Sequence, residues 1–157
     1  MYLIGIDVGG MSIKGGAVTT DGKIVYKTAI PTTEKYTEQY SISEDIRKVI
    51  DAVLEGANIT LSEVKGIGIG QPGSIDSKNG IIRYSNNISL ERVPVVSELK
   101  RYFDVPVFIN NDANCAALGE YVFGAGKGYN DIIFVTLGTG VGTGFIIDGK
   151  LFEGREC

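Results

Sequence analysis

The chain reads as an α/β protein built on a mixed sheet that opens with a three-stranded antiparallel meander. Three observations point there. Apolar, β-branched stretches at the start are joined by a hairpin turn, helical and strand-like periods alternate afterwards, and the opening pattern returns near the end.

The first runs are "YLIGIDV", "SIKGGAVTT" and "KIVYKTAI", with Asp21-Gly22 between the last two. Asp-Gly flanked by such runs is a strong hairpin signal. Next, Ile42, Ile46, Val49, Ile50, Val53, Leu54 and Ala57 recur at helical spacing. Ser41 with Glu44 has the form of a capping box, and Gly56 lies near the exit. "VKGIGIG" reads as a short buried strand, followed by the turn-rich "QPGSIDSKNG" and a loop through "YSNNISLERVP". A helix around "VVSELKRYF", a strand "VPVFIN" and a helix "DANCAALGEYVFG" complete the alternation.

The last segment, "DIIFVTLGTGVGTGFIIDGKLFEG", repeats the first. It runs strand, glycine-rich kink, strand, Asp148-Gly149 turn and the start of a third strand, with a slightly shorter loop. A second meander therefore begins near Asp131 with no helix after it to cover its sheet. An uncovered three-stranded meander shows an apolar face to water, so the expectation is the front part of a two-lobed protein.

Bulk properties narrow the class. The 157 residues suffice for one core, and 43% hydrophobic with 22% charged residues reads as soluble and globular. A net charge of -4 argues against a nucleic-acid partner or an acidic membrane surface. No run reaches membrane-spanning length and no signal peptide is visible, so a cytoplasmic location is expected. Cys115 and Cys157 are too few for a disulfide framework. Cys115 reads as a small buried helix residue. Histidine is absent, which removes a His-based triad, a His metal ligand and a His general base. A proton acceptor must then be a carboxylate, a lysine or a tyrosine.

Both glycine loops lie between antiparallel strands. "GMSIKGG" lacks the Gly-Lys-Ser/Thr ending of a P-loop. "GIGQPG" spells GxGxxG, but Pro72 and turn residues follow where the dinucleotide fold needs a helix. Glycines nonetheless let backbone N–H groups converge on an anion. Ser12 and Thr139 add hydroxyls, and Lys14 would offset phosphate charge if it points inward. Each loop alone could be a tight turn. The same device at equivalent points of two meanders favours a nucleotide held between lobes.

Asp112 stands where strand "VFIN" becomes a helix, at the strand end where open α/β sheets bind ligands. A helix N-terminus stabilises negative charge. A carboxylate there can take a proton from an attacking hydroxyl, and it can equally be an ordinary N-cap. Asn111 beside it is suited to sugar hydroxyls.

"DVGGMSIKGGAV", "GQPGSID", "NNDANCAALGE" and "VTLGTGVGTGFIIDGKL" resemble, in order and spacing, the signature segments of the ROK family. That family groups glucokinase-like sugar kinases with sugar-responsive repressors. The resemblance implies the duplicated actin, Hsp70 and hexokinase fold, which is ribonuclease H-like, with a first lobe over 1–124 and the opening strands of a second over 125–157. By position it implies phosphate contacts from Asp7, Gly9, Gly10, Ser12 and Lys14, and from Gly138, Thr139, Gly140 and Gly142. Asp112 falls on the catalytic base and Asn111 on the sugar-binding asparagine. Gly73 and Ser74 fall on the floor of the sugar pocket, and Asn86 on a loop asparagine capping the sugar. The implied activity is transfer of the γ-phosphate of ATP, with Mg2+, to a hexose such as glucose, in a dimeric parent protein.

Two positions depart from the family pattern. Met11 replaces a threonine in the first phosphate segment, and Leu90 replaces a tryptophan at the rim of the sugar pocket. The family's glutamate–histidine segment, zinc site and adenine pocket would lie beyond Cys157, and no metal ligands are assigned within the chain. A repressor would carry a DNA-binding segment ahead of this fold, whereas the first strand here follows Met1 directly. A chaperone- or actin-like ATPase module would share the glycine loops without needing the Asn111-Asp112 pair or "QPGSID".

Overall fold

The computed structural model describes residues 1–33, 35–37, 41–86, 88–138 and 140–154. The meander forms as expected from β1 (Tyr2–Val8), β2 (Ser12–Thr19) and β3 (Ile24–Pro31). Alternation in β1 sends Ile4, Ile6 and Val8 into the core and the residues between them outward. Helix α1 (Ile42–Ala57) follows, then a single 3₁₀ turn and β4 (Val64–Gln71). After a small sheet come α2 (Val95–Leu99), β8 (Val107–Asn111) and α3 (Asp112–Phe123).

The main sheet has the order β3-β2-β1-β4-β8, antiparallel across the meander and parallel from β1 to β4 to β8. That parallel trio positions the site. Asp7 pairs with Gly70, and Gly70 with Asn110, so the C-terminal ends of β1, β4 and β8 reach the same edge.

Helix α1 covers the sheet with Ile42, Ile46, Val49, Ile50 and Val53, all fully buried. Each such side chain contributes roughly 1.5–3 kcal/mol of transfer free energy. Ser41 caps the helix, its Oγ accepting the Ser43 amide at 3.3 Å. The expected capping box does not close, because Glu44 turns instead to the Arg47 guanidinium at 3.3 Å. The helix ends at Ala57 with Asn58 as its cap in the left-handed region (φ 54°), and Gly56 lies at the exit as expected.

The stretch expected as turns and loop is a second antiparallel sheet of β5 (Ser74–Asp76), β6 (Ile81–Ser85) and β7 (Leu90–Val93). These strands have three to five residues and are separated by turn formers such as Ser77, Asn79 and Gly80, so no alternating run is long enough to read. Burial of Ile75, Ile82 and Leu90 holds the sheet on the core. Leu90 thus faces inward and does not form a pocket rim.

The closing repeat forms β9 (Ile132–Leu137), β10 (Val141–Ile147) and β11 (Lys150–Phe152), an antiparallel meander like the first. The two glycine loops occupy equal stretches, 9–11 and 138–140, and the shorter loop of the repeat is its hairpin turn, 148–149 against 20–23. One face of this sheet packs on α3, where a Cβ at Gly144 would come within 2.5 Å of the Ala117 methyl. The opposite face exposes Ile133, Val135, Leu137 and Val141, with Leu137 83% exposed, as the repeat argument anticipated. Among the described residues no helix is long and apolar enough to cross a membrane.

Candidate active site

The shared edge of β1, β4 and β8 faces β9 and β10 across a cavity of about 830 Å³. Its walls bring together Asp7, Gly9, Gly10, Gly73, Ser74, Asn111, Asp112, Gly138, Gly140 and Gly142, residues drawn from positions far apart in the sequence.

Asn111 and Asp112 are placed by the switch from strand to helix. Val107 and Ile109 anchor β8 in the core, and the strand ends with Asn111 in an extended conformation (φ −60°, ψ 143°). Asn111 Oδ1 accepts the amides of Ala113 at 3.0 Å and Asn114 at 3.4 Å, which makes Asn111 the N-cap. Asp112 is therefore not the cap residue but the first residue of α3. Its Oδ1 accepts the Ala113 amide at 2.9 Å, while Oδ2 has no hydrogen-bond partner among the described residues.

Across the cavity, Gly138 and Gly140 stand in open space, with no described residue beyond their chain neighbours within 4 Å of where a Cβ would be. A bulky group can approach that backbone without obstruction. Thr139, expected in the same loop, lies outside the described residues, as does Cys157.

Three expected residues do not line the cavity. Ser12 belongs to β2, and its carbonyl closes the first loop by accepting the Gly9 amide at 3.0 Å. Lys14 Nζ pairs with Asp7 Oδ2 at 3.2 Å on the surface, with both side chains more than half exposed. Asn86 accepts a hydrogen bond from the Tyr84 hydroxyl. Met11 is 90% exposed.

Sequence reasoning missed a polar chain behind the pair. Asn110 Oδ1 accepts the Asn111 amide at 2.7 Å and Asn114 Nδ2 at 3.0 Å. Its own Nδ2 donates to Glu153 Oε1 at 2.6 Å, and that oxygen also accepts from Ser77 Oγ at 2.8 Å. Glu153 follows β11, so this carboxylate ties the second meander to β8 and to the β5–β6 turn. The polar run "NNDAN" carried a signal for Asn110 and Asn114, four residues apart, whereas nothing local pointed to Glu153.

Cys115 sits one turn into α3, its Sγ donating to the Ile69 carbonyl at 3.7 Å. Burial pushes its thiol up to about 11, and the Asp112 and Asp7 carboxylates add to the shift. This is a packed thiol and not a reactive one.

Residues 3–157 match the sequence profile of the ROK family. The chain belongs to the ROK family. It is 41% identical over 157 residues to a glucokinase of Thermotoga maritima, covering 99% of this chain and 48% of that protein. A xylose repressor of Caldicellulosiruptor bescii is 35% identical, with 97% of this chain and 38% of the repressor covered. Among solved structures, a ROK family glucokinase from Streptomyces griseus in complex with glucose and AMPPNP superposes with a TM-score of 0.86 at 37% identity. That match covers 99% of this chain and 47% of the glucokinase. The fold is thus the actin- and hexokinase-like fold of ROK kinases, with the mixed sheet of their N-terminal lobe. The chain spans about half the length of the curated ROK relatives it matches.

Proposed function

We propose that this chain supplies the sugar-binding lobe and catalytic base of an ATP-dependent hexose kinase, with glucose as the leading substrate. The observation that carries the reading is the placement of Asp112. It begins α3 with one carboxylate oxygen unpartnered among the described residues, in the cavity that both glycine loops line. The glucokinase relatives and the glucose and AMPPNP bound to the Streptomyces griseus structure support the same chemistry.

In this mechanism Asn111, Gly73 and Ser74 hold the sugar against the ends of β4 and β8. Asp112 Oδ2 accepts the hydroxyl proton as the sugar oxygen bonds to the γ-phosphorus. The bond from that phosphorus to the β–γ bridging oxygen breaks, and ADP leaves. A weak base suffices because phosphoryl transfer depends chiefly on positioning and charge stabilisation. The backbone of Gly9 and Gly10 on one side and of Gly138 and Gly140 on the other faces the phosphates, and the open space at Gly138 and Gly140 fits such a group. Were Mg2+ to accompany the nucleotide, Asp7 beside the first loop would be the residue to hold it, and the ion would supply neutralisation of phosphate charge. Mg2+ usually needs only one or two protein carboxylates, a demand that Asp7 can meet.

The division into a first lobe over 1–124 and a second from 125 onward belongs to this reading, with the cavity as the interlobe site. A cytoplasmic, dimeric parent protein also belongs to it. The xylose repressor at 35% identity favours one second reading, sugar binding without transfer. Incubating the full-length protein with ATP and a panel of hexoses, and following ADP and sugar phosphate, separates the two. Sugar-dependent ADP formation supports the kinase. Sugar binding with no phosphate transfer supports the sensor.

A further inference from the structure

The first glycine loop is held from behind by a residue outside the cavity. At the end of β3, Thr32 Oγ1 donates to the Gly9 carbonyl at 2.6 Å, and the Thr32 amide donates to the Met11 carbonyl at 3.1 Å. The Gly9 amide closes the loop on the Ser12 carbonyl at 3.0 Å. Three of the four carbonyls from Gly9 to Ser12 are thereby occupied. The amides of Gly10 and Met11 have no partner among the described residues.

The next residue anchors this clamp. Thr33 Oγ1 donates to Asp45 Oδ2 at 2.6 Å, and the Tyr36 hydroxyl donates to the same oxygen at 3.1 Å. Asp45 lies in the first turn of α1 and is only 3% exposed. Two adjacent threonines thus connect an exposed loop to a rigid helix.

We propose that Thr32 is a positioning residue for the phosphate-binding loop, an inference that rests on the kinase reading for the identity of the ligand. Carbonyl groups near a phosphate repel it, whereas convergent amides attract it. Because the Gly9 carbonyl and the Gly10 amide share one peptide, tying that carbonyl back through the Thr32 hydroxyl fixes the orientation that offers the Gly10 amide to an anion. The loop then meets the phosphates already ordered, and the cost of ordering it is not charged to binding. Met11 carries no side-chain donor to help, so the backbone geometry that Thr32 sets carries the contact.

The test compares Thr32→Val, which keeps the shape and removes the hydroxyl, with Thr32→Ser, which keeps the hydroxyl, in the full-length protein. Loss of one such hydrogen bond predicts a KM for ATP raised about three- to ten-fold. The KM for sugar should stay unchanged, and serine should restore ATP binding to near the wild-type value. Hydrogen exchange at residues 9–12 should quicken in Thr32→Val and not in Thr32→Ser. Thr32→Ala replaces the valine variant if that one does not fold. An unchanged KM for ATP, or a defect that serine does not rescue, overturns the proposal. If the wild-type protein transfers no phosphate, the kinase reading fails by itself. The exchange measurement then still decides the clamp, since unchanged exchange in Thr32→Val overturns it.

Discussion

Asn111 Nδ2 donates to the carbonyl oxygen of Gly73 at 3.2 Å, joining the end of β8 to the turn after β4. The same side chain caps α3 through its Oδ1, so one asparagine sets both the helix that carries Asp112 and the turn proposed as the pocket floor. Asn111→Asp keeps the capping oxygen and loses the donor. In the full-length protein it should leave the unfolding midpoint near wild type and weaken sugar binding. Asn111→Ala should do both harms, with a capping loss of about 1 kcal/mol. Equal sugar affinity in wild type and Asn111→Asp, read by calorimetry, would remove the asparagine from the sugar site.

Gly73 itself has φ +116°, and a Cβ there would overlap the Tyr84 carbonyl oxygen. Alanine at this position should cost on the order of 1–3 kcal/mol in backbone strain, with a further contribution from the clash. Chemical denaturation of Gly73→Ala measures it. A midpoint equal to wild type would show that the turn rearranges freely.

Gly138 is the opposite case. It has no positive φ and, among the described residues beyond its chain neighbours, nothing near its Cβ position, so valine there should be accepted by the fold. If its backbone meets phosphate, the branched side chain blocks that approach. The expected result for Gly138→Val is unchanged circular dichroism with a raised KM for ATP. A folded variant with normal ATP kinetics would make the second loop a plain turn.

Two partly buried acids give the fold an alkaline limit. Burial lifts the Cys115 thiol from its ordinary 9.0 to about 11. Burial, with the Asp45 charge next, lifts the Tyr36 hydroxyl from 10.0 to about 12. In each case the unfolded chain loses its proton first, so the folded state binds more protons in between and stability falls as pH rises. The stabilisation is whole below about pH 9 and declines through the window up to about 12. Unfolding midpoints measured across that window should fall, and Cys115→Ser should flatten the earlier part. A flat profile in wild type would contradict both shifts.

Much of this architecture was legible because its signals are local. Asp21-Gly22, the helical spacing from Ile42 to Val53 and the repeated glycine kink each specify structure within a short window. The small sheet of β5, β6 and β7 was not legible, since its strands exist through pairing between Ser74–Tyr84 and Ser85–Leu90 and not through any run of their own. The site divides in the same way. Asp112 announced itself at a strand-to-helix junction. Glu153 and Thr32 act through partners 43 and 23 residues away, and no short window contains both ends of such a contact. Lys14 illustrates the converse, a cation beside a glycine loop that turns to Asp7 on the surface.

In the proposed kinase, Asp112 accepts the proton of the attacking sugar hydroxyl. Asp112→Asn keeps the size of the side chain and an oxygen for the Ala113 amide, and it removes the base. Steady-state phosphate transfer from ATP to glucose, measured in the full-length protein beside calorimetric glucose binding, tests it directly. The expected result is glucose affinity within a few fold of wild type and a turnover lowered by about 10²–10⁴. Near-normal turnover in the folded Asp112→Asn protein would contradict it.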